Sequence, residues 1–163
     1  KLDGVIASCF PRIENIIQTI KQQVPVVVID NASSDKSIPS VIIDNFNAVL
    51  DSFDHLYKLG HRRIAFMTGL EDSDVGKNRC AGYQSGLSKH AIEYDQALVY
   101  RGNYSFKSGH DGAAHFLSLD NPPTAILCAN DSMAMGAMRR LHKQGIKTWI
   151  GILVPVGRKH IFA

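Results

Sequence analysis

The apolar residues of this chain switch repeatedly between two spacings, and this alternation restricts the fold more than any other feature. Short continuous apolar runs recur along the chain, and such runs are typical of parallel strands that are buried on both faces. They lie at residues 4–7, 26–29, 64–67, 97–100, 125–128 and 150–154. Between them, apolar residues recur at intervals of three and four, which predicts amphipathic helices. The alternation predicts an α/β protein built from βαβ units.

The helical spacing is clearest in two segments. One face is formed by Ile13, Ile16, Ile17, Ile20 and Val24, and a second by Phe46, Val49, Leu50, Phe53, Leu56 and Tyr57. Further helices are predicted at residues 78–89, 108–119 and 132–144, and Gly60 and Gly145 are placed as helix stops. A short strand at residues 40–44 follows strand 26–29 after only a Ser- and Asp-rich loop. We therefore expect the chain to cross between two subdomains there.

Composition excludes several classes of protein. The 163 residues are 45% hydrophobic and 20% charged, which is typical of a globular protein and not of a disordered or fibrous one. The net charge of +3 is too small to indicate a nucleic-acid surface within these residues. Cys9, Cys80 and Cys128 are widely spaced and odd in number, so we expect buried free thiols and no disulfide framework. No apolar run approaches the ~18 residues of a membrane span, and no signal peptide is recognisable.

Polar side chains follow most of the predicted strands. In open α/β sheets the ligand binds beyond the carboxyl ends of the strands, so these side chains are the candidate site. They are Ser8, Asp30, Asn31, Thr68, Arg101, Asn103, Tyr104, Asn130 and Asp131. Carboxylates and amides pair with hydroxyls or ring N–H groups, and an aromatic face stacks on an apolar ring. The set suits a neutral polyhydroxylated or heterocyclic small molecule.

Several of these residues have a second interpretation. Arg79, at the start of a predicted helix after loop 70–78, could direct its guanidinium into the cleft while that loop closes over it, but it is also typical of a surface helix. Asp131 could serve only to cap the helix that is predicted to begin near Ser132. Asp30 and Asn31 could form no more than an Asx turn.

Other motifs that would indicate catalysis, a metal or a cofactor are absent from the sequence. The seven histidines form no His-Glu-x-x-His pattern, so no metal site is expected, and no cofactor is expected either. Residues 68–74 match neither of the glycine-rich phosphate-binding loops, and no Gly-x-Ser-x-Gly elbow occurs. The basic segment 60–63 is more typical of a solvated edge than of a nucleic-acid patch.

Two segments carry a family resemblance. The first is Leu59-Gly60-His61-Arg62-Arg63-Ile64, and the second runs from Pro122-Pro123-Thr124-Ala125 through Ala129-Asn130-Asp131 to Met133-Ala134. With the shorter matches Leu2–Ile6, Pro25–Asp30, Val41–Asn45 and Arg79–Tyr83, they resemble the effector-binding core of the LacI/GalR family of bacterial transcription factors. The resemblance covers about residues 2–147.

The resemblance implies a fold and a function. The fold would be of the periplasmic-binding-protein-like type I, with two Rossmann-like subdomains that each contain a parallel sheet, incomplete at both ends. Residues 1–45 would belong to the N-terminal subdomain, residues 46–154 to the C-terminal one, and residues 155–163 form a divergent tail that lacks the family's last effector-binding aspartate. The effector contacts that carry over are Ser8, Asp30, Arg79, Tyr104 and Asn130, and Asp131 is added from its strand-end position.

By the same resemblance, the protein senses a small-molecule effector and is not an enzyme. The effector would be a sugar, with a nucleobase or nucleoside as the next class. The protein would bind operator DNA only through a helix-turn-helix domain absent from this chain, and would act as a cytoplasmic homodimer with no membrane contact. One alternative is a periplasmic sugar-binding protein of a transport system. Another is a small α/β enzyme that uses Asp30 and Asp131 as an acid/base pair, for which the sequence offers no local support.

Overall fold

The chain forms two separate parallel sheets with helices packed on them. A computed structural model describes residues 2–8, 14–30, 35–70 and 72–148. The elements of the first part are β1 (Val5–Ser8), α1 (Glu14–Ile20), β2 (Val26–Ile29) and β3 (Ser40–Val41). Those of the second part are α2 (Asn45–Lys58), β4 (Ile64–Thr68), α3 (Asp74–Lys89), a 3-10 turn (Gln96–Leu98), β5 (Val99–Arg101), α4 (Phe106–Leu117), β6 (Ala125–Cys128) and α5 (Asp131–Lys143).

The parallel direction of the strands places their carboxyl ends at one edge of each sheet. The first sheet has the order β1-β2-β3 and the second the order β5-β4-β6, and every pair is parallel. The chain leaves the first sheet at Val41 and enters α2 at Asn45. The predicted α/β class with parallel sheets is therefore confirmed, whereas the subdomain limits at 45 and 154 remain a prediction.

The second sheet is covered by helices on both faces. All five residues of its central strand β4 are buried, and alternate side chains point to opposite faces. Ala65 and Met67 pack in a cluster with Phe116 of α4 and Met133 of α5. The other face carries a cluster of Ile64, Phe66, Phe53, Tyr83 and Leu87, which joins α2 and α3 to the sheet. These two cores hold the carboxyl edge of the second sheet in place.

The first sheet has a smaller core. Ile17 of α1 packs with Val26, Val28 and Ile38, and all four are buried. On β1 the side chains alternate, so that Val5 and Ala7 face this core while Ile6 is 75% exposed.

The helices after β4, β5 and β6 begin earlier than the sequence pattern predicted. Each start is set by a polar side chain that accepts a backbone hydrogen bond: Ser73 from Gly76, Ser105 from Ser108, and Asn130 from Met133. Because α3 starts at Asp74 and not at residue 78, the last five residues of the predicted loop 70–78 belong to the helix. The apolar periodicity could not reveal these starts, because each depends on a single polar capping residue before the helix.

Two strand predictions were partly wrong, and a third lies outside the described residues. The predicted strand 40–44 is limited to Ser40–Val41, and the exposed residues 42–44 lead into α2. In the predicted strand 97–100, the Asp95 side chain accepts a hydrogen bond from Ala97 and forms a 3-10 turn, so that β5 begins only at Val99. The predicted strand at 150–154 is outside the described residues.

Both glycines predicted to stop helices have the left-handed backbone that favours glycine. Gly60 has φ +95° and Gly145 has φ +70°. Both stop predictions are therefore confirmed.

Asp54 on α2 ties that helix to the end of α3. Its carboxylate binds Lys89 and lies 2.7 Å from Nε2 of His90, whose ring stacks on Tyr57 with 3.7 Å between the centroids. Burial by itself raises the pKa of Asp54, but the hydrogen bonds from Lys89 and His90 outweigh it and hold the pKa below its usual value. The carboxylate therefore stabilises the fold in its charged form.

The interactions of Asp54 with Lys89 and His90 predict a pH-dependent stability. A carboxyl whose pKa is lower in the folded state contributes stability above the unfolded-state value of about 3.9 and loses it as the pH falls through the folded-state pKa. We expect Asp54→Asn to lower the free energy of unfolding at neutral pH by about 1 kcal/mol. The difference between wild type and variant should shrink below pH ~4. Urea unfolding across this range checks it, and a difference that stays constant with pH would contradict the account.

Candidate functional site

Ser8 and Asp30 meet at the carboxyl edge of the first sheet. Ser8 ends β1 and Asp30 follows β2, and the Ser8 hydroxyl donates to Oδ2 of Asp30 at 3.4 Å. Asp30 has φ +70°, a strained conformation for a residue other than glycine, and its backbone N–H donates to the carbonyl of Val41. Both side chains are exposed, so their oxygens are accessible to a ligand. The Asx turn suggested for Asp30 with Asn31 involves residue 31, which is outside the described residues.

Arg79 is held at the carboxyl edge of the second sheet. It lies in the second turn of α3 and is half-buried. Its Nε donates to Oδ1 of Asn45 at 2.8 Å, and its Nη1 donates to the carbonyl oxygen of Ala129, directly after β6. Arg79 is therefore not a freely solvated surface residue, and its guanidinium lies beside the backbone that leads into Asn130.

Tyr104 lies against the same edge. It has φ +66°, and its ring packs so closely on Gly69 that a Cβ at residue 69 would lie 1.9 Å from Cζ. Its hydroxyl is 3.4 Å from the Ser73 hydroxyl, at the start of α3. Gly69 is required here because any side chain would displace the tyrosine.

Asn130 joins Tyr104 to the start of α5. Its Oδ1 accepts from the N–H of Met133 and its Nδ2 donates to the Tyr104 carbonyl, both at 3.0 Å. Asn130 is therefore the N-cap of α5, and the suggestion that Asp131 caps this helix was wrong, because Asp131 is already its first residue. Asp131 is exposed. An amide can make four hydrogen bonds, so these two leave Asn130 capacity for a ligand.

The candidate site residues thus fall into two groups. One is Ser8 with Asp30, and the other is Arg79, Tyr104 and Asn130, with Asp131 adjacent in sequence. The described contacts join members within each group and do not join the two groups. Asn45 and Ser73 belong to the second group and were not predicted as site residues. Each stands at a helix start, and helix-start polar residues were the signal that could have identified them.

Asn130 gives a test of this second group. We expect Asn130→Ala to lower the free energy of unfolding by about 1–2 kcal/mol, because the α5 cap and the bond to Tyr104 are both lost. Asn130→Asp keeps the capping oxygen but loses the donor to the Tyr104 carbonyl, so it should recover only part of the stability. Chemical denaturation of the variants measures this, and an Asn130→Ala protein as stable as the wild type would argue against the observed cap.

The remaining sequence motifs have structural explanations. Arg63 binds the carbonyl of Asn121 and the carboxylate of Asp95, and His61 lies 3.0 Å from the Thr124 hydroxyl, so the basic segment ties β4 to the turn before β6. Within the described residues, no group of three or more His, Cys, Asp or Glu side chains could hold a metal ion. Cys80 and Cys128 are half-buried, whereas the sequence predicted buried thiols, and Cys9 lies outside the described residues. Burial raises the pKa of the Cys128 thiol to about 12, so it is unreactive at neutral pH.

The comparison with known families identifies the class of protein. The family described as "Periplasmic binding proteins and sugar binding domain of LacI family" matches residues 1–154. The chain belongs to this family. The predicted periplasmic-binding-protein-like fold is thereby confirmed.

Individual relatives agree with this assignment. The HTH-type transcriptional repressor CytR of Escherichia coli K12 is 34% identical over 123 residues, which are 76% of this chain and 36% of CytR. A LacI-family regulator from a Rhodococcus species has a TM-score of 0.79 at 27% identity, covering 90% of this chain and 54% of that one. A sugar-binding LacI-family regulator of E. coli, solved with phosphate, has a TM-score of 0.74 at 30% identity over 89% and 53% of the two chains. The chain thus spans about a third to a half of the length of these relatives.

These relatives decide between the alternatives. They are transcriptional regulators, so the match is to the effector-binding domain of regulators and not to a transport receptor. The family is not enzymatic, which removes the acid/base reading of Asp30 and Asp131. Among the helices of the described ranges, none combines the length and hydropathy that crossing a membrane requires.

Proposed function

We propose that this chain is the effector-binding core of a LacI/GalR-type transcriptional regulator and that a sugar binds beyond the carboxyl ends of its strands. A nucleobase or nucleoside is the second ligand class. The observation that carries the proposal is Arg79, a cation held by Asn45 and Ala129 at the end of β6, in a chain whose family has a sugar-binding domain.

Each predicted site residue has a role in this proposal. At the first sheet, Ser8 and Asp30 form hydrogen bonds with ligand hydroxyls. At the second sheet, Asp131 accepts a hydrogen bond from a ligand hydroxyl. Arg79 donates to a ligand oxygen, while Asn130 uses the part of its amide that the helix cap leaves unused. Tyr104 presents an aromatic face to the apolar side of the ligand ring.

The regulatory step follows from the division between the two sheets. We place residues 1–45 and 46–154 in two subdomains, with the ligand between them. The ligand shifts their relative orientation only to the extent that it binds one orientation more tightly. A homodimer then transmits this shift to helix-turn-helix domains on operator DNA, in the cytoplasm.

Ligand-induced stabilisation tests the proposal. The melting temperature of the complete gene product is measured with D-glucose, D-ribose, adenosine and uridine, and with L-glucose as a stereochemical control. A ligand at about 100 times its Kd adds about 2.7 kcal/mol, which corresponds to a shift of roughly 5 °C or more. We expect one class to give this shift and the L-sugar to give none. Equal melting temperatures with every compound would overturn the proposed ligand class.

A further inference from the structure

Asn45 is a buried polar side chain whose position the sequence did not explain. It is the first residue of α2 and is only 6% exposed. A buried amide is costly unless its polar atoms are bonded, so its partners show what it does. Its Nδ2 donates to the Ile43 carbonyl at 3.1 Å, and its Oδ1 accepts from Nε of Arg79 at 2.8 Å.

These two bonds fix the orientation of the amide. If the amide were rotated by half a turn, its NH2 group would face the Arg79 N–H, and two donors would meet without an acceptor. The oxygen would then face the Ile43 carbonyl. The N–H of Asn45 also donates to Ile43, at 2.8 Å, which holds the residue in a tight turn. Only one amide orientation satisfies both partners.

The fixed oxygen in turn orients the Arg79 guanidinium. Nε is bound to Asn45 and Nη1 to the Ala129 carbonyl, so two different nitrogens of a rigid planar group are anchored. Neither bond uses Nη2. Ordering a long arginine side chain before a ligand arrives removes most of the rotamer entropy that binding would otherwise cost.

We propose that Asn45 is a positioning residue for Arg79: it contacts no ligand, but it sets the ligand affinity by holding the guanidinium ready. It also connects Arg79 to segment 42–44, which joins the two sheets, through its bond to Ile43. The effect on affinity rests on the function proposed above, whereas the effect on Arg79 does not.

The nitrogen of Arg79 itself provides the first readout. In the complete gene product labelled with 15N-arginine, the Arg79 Nε–H signal is assigned through its loss in Arg79→Lys. We expect this N–H to exchange with water at least about tenfold more slowly than that of the exposed Arg139, because it is bonded and half-buried. Asn45→Ala should bring it to the exposed rate. Asn45→Asp loses the bond to Ile43 but keeps an acceptor oxygen for Arg79, and its charge strengthens that bond, so it should preserve the protection.

The second readout is the ligand affinity, measured with the compound among D-glucose, D-ribose, adenosine and uridine that binds the wild type. Asn45→Ala should weaken binding by about tenfold, the value of one hydrogen bond to a charged group, and Asn45→Asp should restore most of it. Asn47→Ala is the matched control, because Asn47 lies on the same helix turn and its amide donates to Asp44 instead of accepting from Arg79. It should change neither readout.

The outcomes separate this inference from the proposed function. An unprotected Arg79 N–H in the wild type, or unchanged ligand affinity in Asn45→Ala once the protection is lost, overturns the inference. If no probe binds the wild type, the proposed ligand class fails, and the positioning of Arg79 is then judged on the exchange rates alone. If Asn45→Ala does not fold, the exchange of the Arg79 Nε–H in Asn45→Asp, compared with Asn47→Ala, still tests the inference. Loss of protection in Asn45→Asp would contradict the role of the oxygen at residue 45.

Discussion

Replacing Arg79 by alanine is expected to remove ligand-induced stabilisation while the protein stays folded. Hydrogen bonds to a charged group contribute about 1.5–3 kcal/mol each, so losing the guanidinium should weaken ligand binding by about 100-fold. The unliganded protein should lose about 1–3 kcal/mol as well, because the Asn45 oxygen and the Ala129 carbonyl lose their donor. Melting curves with and without ligand measure both effects.

Arg62→Ala is the matched control for this result. Arg62 also donates to a backbone carbonyl, that of Tyr57, and stacks on the tyrosine ring at 3.6 Å, but it belongs to the turn before β4. We expect Arg62→Ala to lower the melting temperature and to leave the ligand-induced shift intact. If the Arg79→Ala protein is stabilised by ligand as much as the wild type, Arg79 is not in the site.

The second large effect is expected at the contact between α4 and α5. A Cβ on Gly136 would lie 2.0 Å from the Phe106 carbonyl oxygen and 2.8 Å from the backbone nitrogen of His110. Alanine would raise the helix propensity of α5 by about 1 kcal/mol, but these contacts are with backbone and cannot be relieved by a rotamer change. We expect Gly136→Ala to destabilise the protein by about 3 kcal/mol net, measured by urea unfolding.

Gly145→Ala adds the same methyl group where there is space. A Cβ at residue 145 meets no atom within 4 Å, so only the backbone strain at φ +70° opposes it. We expect a loss of about 1 kcal/mol. Equal losses at the two positions would mean that helix contact is not what requires glycine at 136.

The sequence predicted the elements that have strong apolar patterns, but it failed where polar side chains determine the start of a helix. Strands β2, β4 and β6 and helix α2 were recognisable because their apolar residues repeat with a clear period. The first turn of α3 was missed and the starts of α4 and α5 were placed two residues and one residue too late, since Ser73, Ser105 and Asn130 start these helices through single hydrogen bonds. A cap of this kind is visible in sequence only as one polar residue among many.

The residues of the candidate site could be selected from the sequence for a related reason. Parallel strands bring their carboxyl ends to one edge, so Ser8, Asp30, Tyr104 and Asn130 could be grouped as candidates without coordinates, but the contacts between them could not be predicted. The anchoring of Arg79 could not be predicted, because it depends on Asn45, which lies 34 residues away on another helix. Such a contact arises only from the packing of α2 against α3.

The most direct test of the proposed function is the affinity of the complete gene product for its operator DNA, with and without the ligand that stabilises it. Fluorescence anisotropy of labelled operator DNA measures this affinity at constant salt concentration. A regulator with this site should change its DNA affinity by about tenfold or more when ligand is saturating, and Arg79→Ala should bind the DNA with no response to ligand. Equal DNA affinity with and without saturating ligand would contradict the account.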